Sequence, residues 1–83
     1  MRSILSVIPH EYYLICELDN GRTYRYDMDF VLTRNSEMTA PLKDLSFFKR
    51  VFIESGSLAW PNGYDIHANT VLRDCTIVQE KSA

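Results

Sequence analysis

Residues 12–27 read YYLICELDNGRTYRYD, and no other stretch restricts the fold so tightly. Two apolar alternations run into and out of Asp19-Asn20-Gly21, the pattern of a β-hairpin. Loop length decides the register. If Asn20-Gly21 alone formed the loop, Glu17 would face Tyr24, and Leu14 would share a face with Asp27. A three-residue loop with Gly21 left-handed instead pairs Leu18 with Arg22, Cys16 with Tyr24 and Leu14 with Tyr26. That register gathers Leu14, Cys16, Leu18, Tyr24 and Tyr26 on one face. A one-residue slip would expose much of the set, so the three-residue loop is expected.

The remaining punctuation supplies further short elements. Residues 3–8, SILSVI, form a strand that Pro9 closes, because proline has no N–H to donate to a ladder. Residues 28–41 carry no readable pattern beyond a loop at Arg34-Asn35-Ser36-Glu37. After Pro41, Leu42, Leu45 and Phe48 recur at helical spacing, with Asp44 placed to cap a short helix and Lys49 and Arg50 near its end. Ser55-Gly56 suits a two-residue hairpin turn pairing Ile53 with Leu58 and Val51 with Trp60, with Phe52 and Ala59 on the opposite face. Asp65 is expected to cap a second helix over residues 66–72, and residues 75–79 to form a last strand. The expected class is α+β: a small, mostly antiparallel sheet of hairpins with two short helices.

At 83 residues the chain suits one domain, taken as residues 1–78 with 79–83 as a tail. The opening MRSILSVIPH is too short and too interrupted for a secretory leader. The longest apolar run elsewhere, YYLIC, falls far below the ~20 residues of a membrane helix. A cytoplasmic protein with two free thiols, Cys16 and Cys75, and no membrane association is therefore expected. Net charge is −2, with acids and bases interspersed, so no phosphate-tracking surface is legible and nucleic-acid binding by the chain alone is not expected.

Residues 57–69, SLAWPNGYDIHAN, hold the only tryptophan. Read structurally, Trp60 ends a strand in the core, Pro61 stops that strand, Asn62-Gly63 turns, and Tyr64 covers the turn. Gly21, Gly56, Pro61, Gly63 and Asp44 are then structural positions. Read functionally, Trp60, Asn62, Tyr64 and Asp65 form an aromatic and acidic patch for a partner protein, since Trp and Tyr are frequent interface anchors.

The Trp-Pro-Asn-Gly run followed by YDI resembles the signature of a small bacterial family, the domain of unknown function 2442. YYLICELDNGRTYRYDM and the spacing of Leu42, Asp44 and Phe48 support the resemblance, which covers residues 1–73 and fades beyond Leu72. It implies a small α+β domain with no established activity and no catalytic residues. It also implies one half of a two-gene pair with another small protein, laid out like a toxin–antitoxin module. Some longer relatives add a DNA-binding helix-turn-helix; none is expected here, and DNA-binding autoregulation is not expected with it.

Catalytic and metal chemistry find little support. His10-Glu11 and Asp65-x-His67 are fragments of ligand sets, and Cys16 and Cys75 have no CxxC partner. Pairings of Cys75 with His67, or Cys16 with His10, lack a Gly-rich turn to build an oxyanion hole. Asp27 and Asp29 are better turn formers than an acid–base pair. Arg22 ends the inner face of Tyr24 and Tyr26 at the loop, where it reaches water, and Arg25 points to the opposite side, so no stacking surface for bases is expected. The expectation is a non-enzymatic protein-interaction module, with no cofactor and no metal. It would bind a small partner protein encoded nearby, as the antitoxin-like member of the pair, and form a homodimer through an open sheet edge. The alternatives are a nucleic-acid-associated accessory protein and, less favoured, a small enzyme.

Overall fold

A computed structural model describes residues 2–78. The hairpin forms in the expected register. Strands β1 (Ile4–Pro9), β2 (Tyr13–Leu18) and β3 (Thr23–Asp27) make an antiparallel meander in which Leu14 faces Tyr26 and Cys16 faces Tyr24. The Leu18 N–H donates to the Arg22 carbonyl at 3.0 Å, closing a loop in which Gly21 has φ +80°. All five residues assigned to the inner face are buried.

β1 solves a parity problem. Ile4 is buried and Val7 packs on the core, yet residues three apart in a regular strand point to opposite faces. A bulge between Ile4 and Ser6 resets the alternation and leaves Leu5 outside. The β1–β2 connection places Tyr12 at φ +60°, which costs a non-glycine residue about 1–2 kcal/mol. Two contacts offset that strain: the Tyr12 ring packs against Phe48 at 5.7 Å, and its hydroxyl donates to the Lys43 carbonyl.

The stretch that carried no pattern folds as two 3-10 turns, Asp29–Leu32 and Ala40–Lys43, which bury Val31 and Leu42. Asp44 caps helix α1 (Leu45–Phe48) as expected, its carboxylate accepting from the Ser46 N–H at 3.0 Å. Leu42 belongs to the preceding 3-10 turn rather than to this helix.

Strands β4 (Phe52–Glu54) and β5 (Ser57–Ala59) pair Ile53 with Leu58 across the Ser55-Gly56 turn. Of the opposite pair, Phe52 is exposed and Ala59 is buried. The ladder ends one pair before Val51 and Trp60. There the Phe48 carbonyl takes the Val51 N–H at 3.4 Å and the Trp60 Nε1–H at 2.9 Å.

Two expectations fail together. Asp65 does not cap a helix: it opens strand β6 (Asp65–Ile66), which pairs with β5 through Ala59–Asp65 and Leu58–Ile66. Trp60-Pro61-Asn62-Gly63-Tyr64 is a hairpin loop, so the chain builds a second sheet, ordered β4-β5-β6, where one sheet was expected. Helix α2 (Ala68–Asp74) therefore starts later, behind His67, which makes no side-chain cap. Strand β7 (Thr76–Ile77) then joins β3, giving a first sheet ordered β1-β2-β3-β7. The expected end of that strand at residue 79, and the 79–83 tail, lie outside the described residues. The class stands as α+β, with every strand pair antiparallel. No helix among the described residues is long and apolar enough to cross a membrane.

Candidate functional site

The loop at residues 60–64 repeats the geometry of residues 18–22. Gly63 N–H donates to the Trp60 carbonyl and Trp60 N–H to the Tyr64 carbonyl, as Gly21 does to Leu18 and Leu18 to Arg22. Trp60 is 1% exposed and its indole ring packs between Phe48 and Tyr64, with centroids at 6.1 and 5.6 Å. It is a core residue, and its indole is not offered to a partner. Asn62 spends its side chain on the loop, accepting from the Tyr64 N–H at 3.2 Å and donating to the Met38 carbonyl at 3.0 Å. Of the four residues expected to contact a partner, Tyr64 and Asp65 remain available at a surface feature.

That feature is an open cleft of about 400 Å³. The end of β3, the 3-10 turn after it and the residues just beyond that turn contribute Tyr26, Asp27, Phe30 and Arg34. The loop and β6 contribute Tyr64 and Asp65, and α2 contributes Thr70, Arg73 and Asp74. Burial, followed by the neighbouring Tyr64 and Asp74, pushes the Tyr26 hydroxyl up to about 12, while Arg73 and Arg34 pull the other way. Burial likewise raises Tyr64, with Arg34 opposing and Asp65 reinforcing the rise. Both phenols therefore stay protonated near neutral pH and present hydrogen-bond donors.

The charges lining the cleft are largely spoken for. Arg73 forks onto Asp74 at 3.2 and 3.3 Å, and Asp27 accepts from Arg25 at 2.9 Å. The Arg34 guanidinium lies over the Phe30 ring at 4.8 Å. Among the described residues, neither Arg34 nor Asp65 has an ion-pair or hydrogen-bond partner for its side-chain charge. The sequence held no sign of this cleft. Segments 26–34 and 64–74 meet only because β6 turns back along β5.

The thiols and histidines take other places. Cys16 is sealed in the core, where burial above all, and then Cys75, pushes its thiol up to about 12. Cys75 donates to the Leu72 carbonyl at 3.4 Å. His10 stacks on Tyr13, and His67 reaches the Ser57 hydroxyl at 3.5 Å. No group of three or more potential metal ligands occurs among the described residues.

A second surface is the outer face of the first sheet. Ile8 faces Ile15 across β1 and β2, and Leu5, unpaired in the bulge, lies further along β1 beyond the Ser6–Glu17 pair. Leu5 and Ile8 are 59% and 58% exposed, unusually open for large aliphatic residues on a strand. Next to this stripe Arg25 sits 3.7 Å over the Tyr13 ring. The edge of β1 is closed to strand addition at both ends. The Gly56 carbonyl takes the Ile4 N–H at 2.9 Å, and Pro9 has no N–H to give.

Comparison with known proteins yields one match: a family model described as "Protein of unknown function (DUF2442)" covers residues 4–76. The match continues past Leu72, where the resemblance was expected to fade, and includes the start of β7. No curated protein and no solved structure matches the chain.

Proposed function

We propose, from the premise that this chain belongs to the DUF2442 family of proteins of unknown function, that it is a non-enzymatic protein-interaction module. Its partner is a small protein encoded by a neighbouring gene, with this chain in the antitoxin-like role of the pair. One observation carries the reading: the outer face of the first sheet carries an apolar stripe of exposed Ile8 against half-buried Ile15, with exposed Leu5 further along β1 beyond the Ser6–Glu17 pair. Exposed aliphatic side chains gathered on a face, rather than scattered, favour an interaction surface. Both ends of β1 are stoppered against strand pairing, so docking onto the face is favoured over the edge addition expected from sequence.

The test is co-expression of the tagged chain with the products of its neighbouring genes, followed by purification in low and high salt. A stoichiometric small partner retained in high salt, and lost from a Leu5→Asp/Ile8→Asp variant of unchanged thermal stability, supports the reading. Burying each aliphatic side chain fully contributes roughly 1.5–3 kcal/mol, so two buried aspartates should abolish capture. Recovery of the chain alone as a homo-oligomer dissociated by the same variant would assign the stripe to a second copy instead.

A further inference from the structure

We propose that the cleft between the two sheets binds a small zwitterion of the α-amino acid class, its carboxylate on Arg34 and its ammonium group on Asp65. This site is separate from the apolar stripe and does not depend on it. The volume of about 400 Å³ falls in the range of small-molecule sites.

The selectivity follows from which charges are compensated. Arg73 and Asp74 neutralise each other, and Asp27 is held by Arg25. That leaves one cation, Arg34, and one anion, Asp65, lining the same cleft with no ion-pair partner among the described residues and not paired with each other. Tyr64 lines the same cleft as both charges. The Arg34 guanidinium rests over the Phe30 ring at 4.8 Å, and its N–H groups, without a hydrogen-bond partner among the described residues, are able to fork onto a carboxylate. The Tyr26 and Tyr64 hydroxyls line the same space and can donate to that carboxylate. A phosphate or other dianion meets one free guanidinium with the uncompensated Asp65 carboxylate beside it and is disfavoured. A bare monoanion or a bare cation satisfies only half of the site.

The experiment is a ¹H–¹⁵N NMR titration of the full chain with pools of the twenty free L-amino acids, followed by single members of any active pool. The amide signals of Tyr64, Asp65 and Ile66 should shift and saturate with at least one amino acid. Acetate and methylammonium, offered separately or together, should bind at least about tenfold more weakly, because linking the two charges converts the second contact into an intramolecular one. Arg34→Gln and Asp65→Asn should each weaken amino-acid binding by about tenfold or more. Both side chains are at the surface, so both variants should melt with the parent. The proposal is overturned if no amino acid shifts these amides, if acetate binds as tightly as the amino acid, or if Asp65→Asn leaves affinity unchanged. The half-ligand comparison needs no variant, so it decides the question even if one variant misfolds.

Discussion

Asn20 and Asn62 hold the same station in two hairpin loops of one design. Each Oδ1 accepts from the N–H two residues on, at 2.9 Å from Arg22 and 3.2 Å from Tyr64. Each Nδ2 donates outward, Asn20 to the Tyr24 hydroxyl at 2.7 Å and Asn62 to the Met38 carbonyl at 3.0 Å. The first bond stays within its hairpin. The second ties the loop to the segment before the Ala40–Lys43 turn, a tertiary link across 24 residues. Asn62→Asp removes that donor and should cost about 1 kcal/mol in urea unfolding.

Gly56→Ala should destabilise more than Gly21→Ala. Both glycines are left-handed, at φ +78° and +80°, so each substitution costs about 1–2 kcal/mol in backbone strain. At Gly21 the added Cβ meets nothing within 4 Å; at Gly56 it lands 2.7 Å from Ser3 Oγ and 2.9 Å from Ser3 Cβ. Overpacking there adds roughly 1–3 kcal/mol. Ser55 is left-handed as well, at φ +51°, a demand not legible in the sequence at that position. Ser55→Asn, which suits a two-residue turn, should leave stability equal or higher. Equal midpoints for the two glycine variants would refute the Ser3 contact.

Trp60→Phe should cost about 1–3 kcal/mol although it stays aromatic. The Phe48 carbonyl loses its 2.9 Å donor and keeps only the longer bond from Val51. Trp60→Ala should cost on the order of 3–5 kcal/mol by opening a core cavity. Fluorescence-independent unfolding, read by far-ultraviolet circular dichroism, separates the two.

Stability should fall as pH rises above 9. Cys16 moves from an ordinary value of 9.0 to about 12, and Tyr26 from 10.0 to about 12, burial being the leading cause for both. The unfolded chain ionises first. The contribution is therefore complete below pH 9 and is lost between pH 9 and 12. Tyr26→Phe should flatten part of that slope. A slope unaffected by either Tyr26→Phe or Cys16→Ala would place the alkaline transition elsewhere.

Thiol labelling at pH 8 should be stepwise. Cys75, half-buried, should react with an aromatic disulfide reagent in the native state, while the fully buried Cys16 should react only on unfolding. Two equivalents consumed at one rate in native buffer would contradict the core placement of Cys16.

The first hairpin was legible to the register because its evidence is local. Its loop chemistry lies in three consecutive residues, and one register alone buries Leu14, Cys16, Leu18, Tyr24 and Tyr26 together. The Asp44 cap and the Ser55-Gly56 turn were legible for the same reason. Asp65 was misread because an aspartate before an apolar run satisfies a helix cap and a strand start equally well. Only pairing with Ala59 distinguishes them. That one pairing adds the third strand to the β4-β5 hairpin, sets segment 64–74 against segment 26–34, and forms the cleft where Arg34 and Asp65 stand uncompensated. The sequence by itself determined the turns, caps and inner faces, since these depend on backbone preference and alternation within a few residues. The tertiary structure alone decided which distant charges share a surface, because that depends on long-range strand pairing, to which local periodicity is blind.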